Sequence, residues 1–279
     1  MKNNLFEGGN VFKNIDGALT RRITRDEIPT TIQWLEKITS LDFTMDKDEE
    51  DVPIKWLGTT GRKADSGDLD LSVDENEISK EELKNKLIAW CQKQGIPDDE
   101  IVNSKTNRAG WIQSTGDSVH FKTPINGDVE NGFAQTDFMF TSDPAWQQSS
   151  MLGSKEGSPY RGEHRHMLLS SIARARGYKY SFKNGLMDPE TNETLPNGKD
   201  FNFIAKTLLG QTATVKDTRS VEAILDFIKK LPNYDALVAN AREALGKQGV
   251  ELPEQYVKIE SQQIGTPSWF RRMMNSVNF

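Results

Sequence analysis

Apolar positions recur at helical spacing from about Pro29 to Ser40, where Ile32, Leu35 and Ile38 form one stripe and Pro29 suits a first turn. Ile54 to Leu57 reads as a short strand ending at Gly58. Leu69, Leu71 and Val73 then alternate with Asp68, Asp70 and Ser72, a period of two that predicts a half-buried strand. Ser79 and Glu82 make a capping box, and Leu83, Leu87 and Cys91 continue one helical face toward Gly95. Two more strands are predicted at Ser118 to Thr123 and Phe133 to Phe140, with Asn126-Gly127 as a turn between them. After Pro144 the pattern becomes helical. Glu163 to Arg176 is stopped by Gly177, Asp200 to Leu209 by Gly210 and Ser220 to Leu231 by Pro232, and a last helix runs from Tyr234 to Gly246. The order predicts an α+β first half followed by a mostly helical second half.

Composition adds bounds. A chain of 279 residues suits one large domain or two smaller ones, and 27% charged residues is ordinary for a soluble protein. No apolar run follows the basic residue of the N-terminus, so no secretory leader and no membrane span are expected. The single cysteine, Cys91, reads as a buried thiol, and cytoplasm or another reducing intracellular compartment is the simplest home. The net charge of -6 runs against a grip on long duplexes, which usually shows a basic footprint. The charge is uneven, however. Asp46 to Asp51 is an acidic run that reads as an exposed loop, and Tyr160 to Lys183 carries Arg161, Arg165, Arg174, Arg176, Lys179 and Lys183 against Glu163 alone. The apolar and basic tail from Trp269 to Met274 reads as a packed amphipathic turn, with a contact surface as the alternative.

The chemistry sits between Gly58 and Asp70. Two carboxylates two residues apart on one strand point to the same side, close enough to share a divalent ion. The loop before them offers what a triphosphate needs. Backbone N–H groups are unobstructed at Gly58, Gly61 and Gly67, hydroxyls come from Thr59 and Ser66, and positive charge comes from Arg62 and Lys63. Two aspartates on a strand could instead be a solvated face, and Arg62 and Lys63 ordinary loop charges.

Gly58, a hydroxyl residue, a short basic loop and then Ser66-Gly67-Asp68-Leu69-Asp70 resemble the signature of DNA polymerase β and its family X relatives. The family places a third aspartate on a later strand, and Asp137 occupies that place. Leu152-Gly153-Ser154 is similar to the Gly-Ser element that opens the family's nucleotide pocket. His166 to Tyr180, Asn184 to Asp188 and Asp200 to Gly210 resemble its thumb. The resemblance covers roughly residues 56–210. It implies a polymerase β-like palm over 1–150, with an N-terminal helix, and a smaller, thumb-like helical region over 151–279. The loop is one residue shorter than the family's, so its paired arginines fall on Arg62 or Lys63. The aromatic pair before the Gly-Ser element is Met151-Leu152 here, and no helix-hairpin-helix or fingers region is recognisable in the residues before Gly58.

What the resemblance implies is two-metal phosphoryl transfer. Asp68, Asp70 and Asp137 would hold Mg2+, with Mn2+ as a substitute. Gly58, Thr59, Arg62, Lys63, Ser66, Gly67 and Ser154 would hold a nucleoside triphosphate. Arg161, Arg165, Arg174 and Arg176 would contact DNA or RNA if they line one groove. A protein or small-molecule hydroxyl is the alternative acceptor. A degenerate palm used only for binding is a third reading, against which the intact aspartate set argues. His120 is expected to be structural. His164 and His166, two apart on a helix, face different sides and do not suit a shared metal. Asp143, followed by Pro144, belongs in a turn. The oligomeric state, the base and the sugar are left open.

Overall fold

The computed structural model describes residues 10–48, 51–103, 109–231, 234–247 and 249–252; the first nine residues and the predicted tail turn at 269–274 lie outside them. The architecture is α+β: a four-stranded mixed sheet in the first half and a helical second half. The sheet comprises β1 (Leu69–Asp74), β2 (Ile112–Thr115), β3 (Ser118–Pro124) and β4 (Phe133–Thr141), in the order β1-β4-β3-β2. β2, β3 and β4 pair antiparallel in sequence, whereas β1 and β4 are parallel. A parallel pair needs a crossover, and the chain makes it through α2 (Lys80–Lys93) and the β2–β3 hairpin.

Alternation gives the sheet two unlike faces. Leu69, Leu71, Val73, Val119, Phe121, Ala134 and Phe138 are buried in one hydrophobic core with Ile28, Ile32 and Leu35 of α1 (Ile28–Thr39) and Leu83, Leu87 and Cys91 of α2. The alternate positions, Asp70, His120 and Asp137, stand on the opposite face. A second core belongs to the helical half. It gathers Trp146 of α3 (Pro144–Ser150), Leu168, Leu169 and Ile172 of α4 (Gly162–Ala175), Ile204 and Leu208 of α5 (Phe201–Leu208), Ile224 and Leu225 of α6 (Val221–Ile228), and Leu237 and Leu245 of α7 (Tyr234–Lys247). A small hairpin, Lys179–Ser181 with Gly185–Met187, follows α4.

Helix ends follow the local chemistry. The Ser79–Glu82 capping box is formed on both sides, and Gly95 and Gly177 take positive φ just beyond their helices. Asp143 caps α3 by accepting the Trp146 amide at 3.0 Å, the turn role expected of it. Three expectations need correction. Ile54 to Leu57 is a turn with one bridge from Trp56 to Leu71, held by the Leu57 amide on Asp70 O (2.9 Å) and the Ser72 amide on Lys55 O (2.8 Å), while the Trp56 amide turns back to Pro53 O (3.0 Å) and ends the pairing there. Asp68 sits in a bend just before β1 rather than in the strand. The acidic run is not wholly exposed: the Asp48 side chain is buried against Arg62. Among the described residues no helix is long and apolar enough to cross a membrane.

Candidate metal centre

The parallel register of β1 and β4 sets Asp70 directly opposite Asp137. Asp68, in the bend before β1, turns its carboxylate back toward the pair. One oxygen from each of the three lies within 4.8 Å of the others, a spacing at which three carboxylates can share a cation. This is the one such group of three among the described residues. Burial first, and then the Asp137 carboxylate, pushes Asp68 up to about 6, with Arg22 opposing the shift. Burial, then Asp68 and Asp137, holds Asp70 well above the usual carboxylate range. Three anions gathered in a half-buried space repel one another, and a divalent cation would remove that cost. The donor set is all hard oxygen, which fits a hard ion.

Backbone packing makes the space. Gly58 takes φ +57, and a Cβ there would stand 2.6 Å from Asp70 Oδ2. Its amide donates to Met151 O at 3.0 Å, and Gly153 lies so close that a Cβ would fall on the Gly58 carbonyl. The Gly-Ser element and the loop before the aspartates are thus stitched together by glycines at both sides of the contact. The loop is braced from within. Thr60 Oγ1 accepts the Asp70 amide at 3.0 Å, and the buried Ser66 hydroxyl donates to Thr59 O at 3.0 Å. Gly67 stays exposed at the loop's end. Ser154 is buried, and its hydroxyl has no hydrogen-bond partner among the described residues.

The two basic loop residues differ. Arg62 is buried and paired with Asp48, whose carboxylate also lies 3.5 Å from Gln148 Nε2 and 4.0 Å from Arg219. Lys63 is half-buried and forms no ion pair with any described residue. Of the two, Lys63 is the one with an uncommitted charge. The arginines of α4 also separate. Arg165 is buried, donating to the carbonyls of Thr218, Ser149 and Ser150 and lying 5.0 Å from the Phe201 ring. Arg161, Arg174 and Arg176 are exposed, with Arg176 Nε also bonded to Leu208 O at 3.2 Å. Arg165 therefore locks α4 to its neighbours rather than extending an open stripe.

Two side chains at the site were not assigned to it from sequence: Arg22 was not singled out, and His120, expected to be structural, instead contacts the Asp137 carboxylate. Ile23–Thr24 pairs with Asp65–Ser66, and this small ladder sets Arg22 beside Asp65 (2.6 Å), near enough to Gly67 and Asp68 to lower the Asp68 carboxyl. His120, cross-strand from Asp137, bonds Asp137 Oδ1 through Nδ1 at 2.7 Å, and Gln135 Nε2 reaches the same oxygen at 3.0 Å. The usable cue for His120 was its alternation on β3, which places it on the face opposite Phe121. A cavity of about 300 Å³, bounded by Met139, Thr141, Gln147, Phe182, Lys183 and Lys199, lies against the end of β4 and α3; none of the three aspartates lines it.

No protein-family model, curated protein or solved structure matches the chain. The likeness to the polymerase β family therefore rests on the residues themselves.

Proposed function

We propose that the protein is a metal-dependent nucleotidyltransferase. It moves a nucleoside monophosphate from a (d)NTP to a hydroxyl, and the resemblance implies the 3′ end of a nucleic acid, as in a minimal family X-like DNA polymerase with a palm and thumb. The observation that carries the reading is the convergence of Asp68, Asp70 and Asp137 beside a loop tailored by Gly58 and Gly153. Mg2+, or Mn2+ in its place, would supply Lewis acidity to the acceptor hydroxyl and the triphosphate. Asp68 and Asp70 would hold that charge from the β1 side and Asp137 from β4. Arg22 supplies positive charge next to the exposed Gly67 amide, where the triphosphate would lie, and Lys63 adds charge from the same loop near Asp65. Arg62 acts behind the loop, fixing its shape through Asp48. The Ser154 hydroxyl, without an internal partner, is left to the nucleotide.

A protein or small-molecule hydroxyl is the second reading for the acceptor. The inward Arg165 favours it, because the break removes a central charge from the basic stripe, and the net charge of -6 points the same way. The test is incubation with labelled dNTPs or NTPs, Mg2+ and a primer, alone or annealed to a template, with Asp68→Ala as control. Extension lost in the variant supports the first reading. Label on protein or small molecule supports the second. No transfer together with no triphosphate binding refutes both.

A further inference from the structure

The geometry assigns His120 as a positioning residue for the candidate metal centre: it orients the Asp137 carboxylate toward Asp68 and Asp70. The assignment rests on the metal-binding reading above.

An ionised carboxylate can only accept hydrogen bonds, so the proton between His120 and Asp137 sits on Nδ1. In the neutral ring the other nitrogen, Nε2, is then an acceptor. Thr115 Oγ1 stands 2.5 Å away and is the hydroxyl that can donate to it. Thr115 is at the end of β2, and His120 is buried on β3, so the β2–β3 hairpin holds the ring from behind while β4 presents Asp137 in front. The chain of donors runs Thr115 to His120 to Asp137, and it fixes the ring's tautomer as well as its plane.

The second grip on Asp137 comes from Gln135 Nε2, at 3.0 Å from Oδ1 and 3.3 Å from Oδ2. Gln135 is itself held, since its Oε1 accepts the Val11 amide at 2.9 Å. Two donors thus concentrate on Oδ1. A carboxylate pinned at one oxygen has its rotation about the Cβ–Cγ bond restricted, and the freedom lost before binding is not lost during it. Asp70 lacks such a brace: among the described residues its carboxylate accepts no hydrogen bond, and it occupies the room that the missing Cβ of Gly58 leaves. The Asp68 carboxyl has a backbone hydrogen bond, and Asp137 is the ligand whose direction is set by the side chains of His120 and Gln135. Outer partners of metal ligands typically contribute about 10- to 100-fold to affinity.

The test is Mn2+ binding to the purified full-length protein, read as free Mn2+ by electron paramagnetic resonance. His120→Leu removes the donor at similar volume, whereas His120→Asn returns an N–H near the Nδ1 position. The expected result is binding weakened about tenfold in His120→Leu and restored to within about threefold of the parent in His120→Asn. Unchanged binding in His120→Leu overturns the assignment, as does a His120→Asn protein as weak as the leucine variant. If neither variant folds, Thr115→Val carries the test from an exposed hairpin position: weaker Mn2+ binding with an unchanged melting temperature supports the assignment, and unchanged binding overturns it. Asp137→Asn separates the two levels. If the parent binds no Mn2+, or Asp137→Asn binds as the parent does, the metal-centre reading fails and the assignment with it. If Asp137→Asn abolishes binding while the His120 variants change nothing, only the assignment fails.

Discussion

Replacing Asp70 with asparagine should stabilise the metal-free protein while destroying its response to metal. Asp70 shares a space with Asp68 and Asp137 in which one oxygen from each lies within 4.8 Å of the others. Two unit charges at that separation repel by roughly 3 kcal/mol at an effective dielectric of about 20. The Asp68 carboxyl gives an independent scale: raised to about 6 from 3.8, it carries about 3 kcal/mol of charge-dependent cost, to be discounted for its partial exposure. A neutral side chain of the same shape removes most of one such term. The expected gain is about 2 kcal/mol, or roughly 4–8 °C in Tm for a protein near this size. The sign in pH follows from the same shifts. Folded Asp68 and Asp70 hold protons more tightly than the unfolded chain, so what these two groups contribute to the stability of the metal-free protein is greatest at low pH. That contribution is lost as pH rises from about 4 through 6 for Asp68, and higher for Asp70. Thermal melts followed by circular dichroism in EDTA, at pH 5 and pH 7.5, measure the effect; Asp70→Asn should narrow the difference between the two. Added Mg2+ or Mn2+ should raise the Tm of the parent and not of the variant. A lower Tm for Asp70→Asn in EDTA, or an undiminished metal response, would refute the argument.

Three further outcomes follow from the placement of single residues. Arg62→Ala leaves Asp48 buried without its main partner and should cost about 3 kcal/mol in a denaturant titration, whereas Lys63→Ala should leave stability within about 0.5 kcal/mol and raise KM for the triphosphate about tenfold. Gly153→Ala forces a methyl onto the Gly58 carbonyl, so Mn2+ affinity and Tm should fall together, the displaced loop being also the wall beside Asp70. Arg165→Met should lower stability by more than about 2 kcal/mol by leaving the Thr218, Ser149 and Ser150 carbonyls unpaired; a mobility-shift titration that shows weaker nucleic-acid binding with unchanged stability would contradict this.

Sequence alone determined what is local. The stripe of α1, the capping box of α2, the glycine stops and the alternation of β1, β3 and β4 are written within windows of a few residues, because backbone sterics and side-chain period act at that range. The hairpin strand β2 and the short helix α3 were not read, being too brief to show a period. The strand alternation picked out Asp68 and Asp70, and the resemblance to the polymerase β family added Asp137 to the set. What the sequence could not supply was their meeting. Alternation says that Asp70 and Asp137 each face away from an apolar core, but not that two strands separated by a helix and a hairpin run parallel in the register that sets them opposite one another. The same limit explains the charged residues. Arg62 and Arg165 look in sequence like loop and surface cations, and only a partner brought from far along the chain makes burial of a charge affordable: Asp48 for the first, the carbonyls of Thr218, Ser149 and Ser150 for the second. His120 became part of the site for the same reason, since its neighbour Asp137 is adjacent across a ladder and seventeen residues away along the chain.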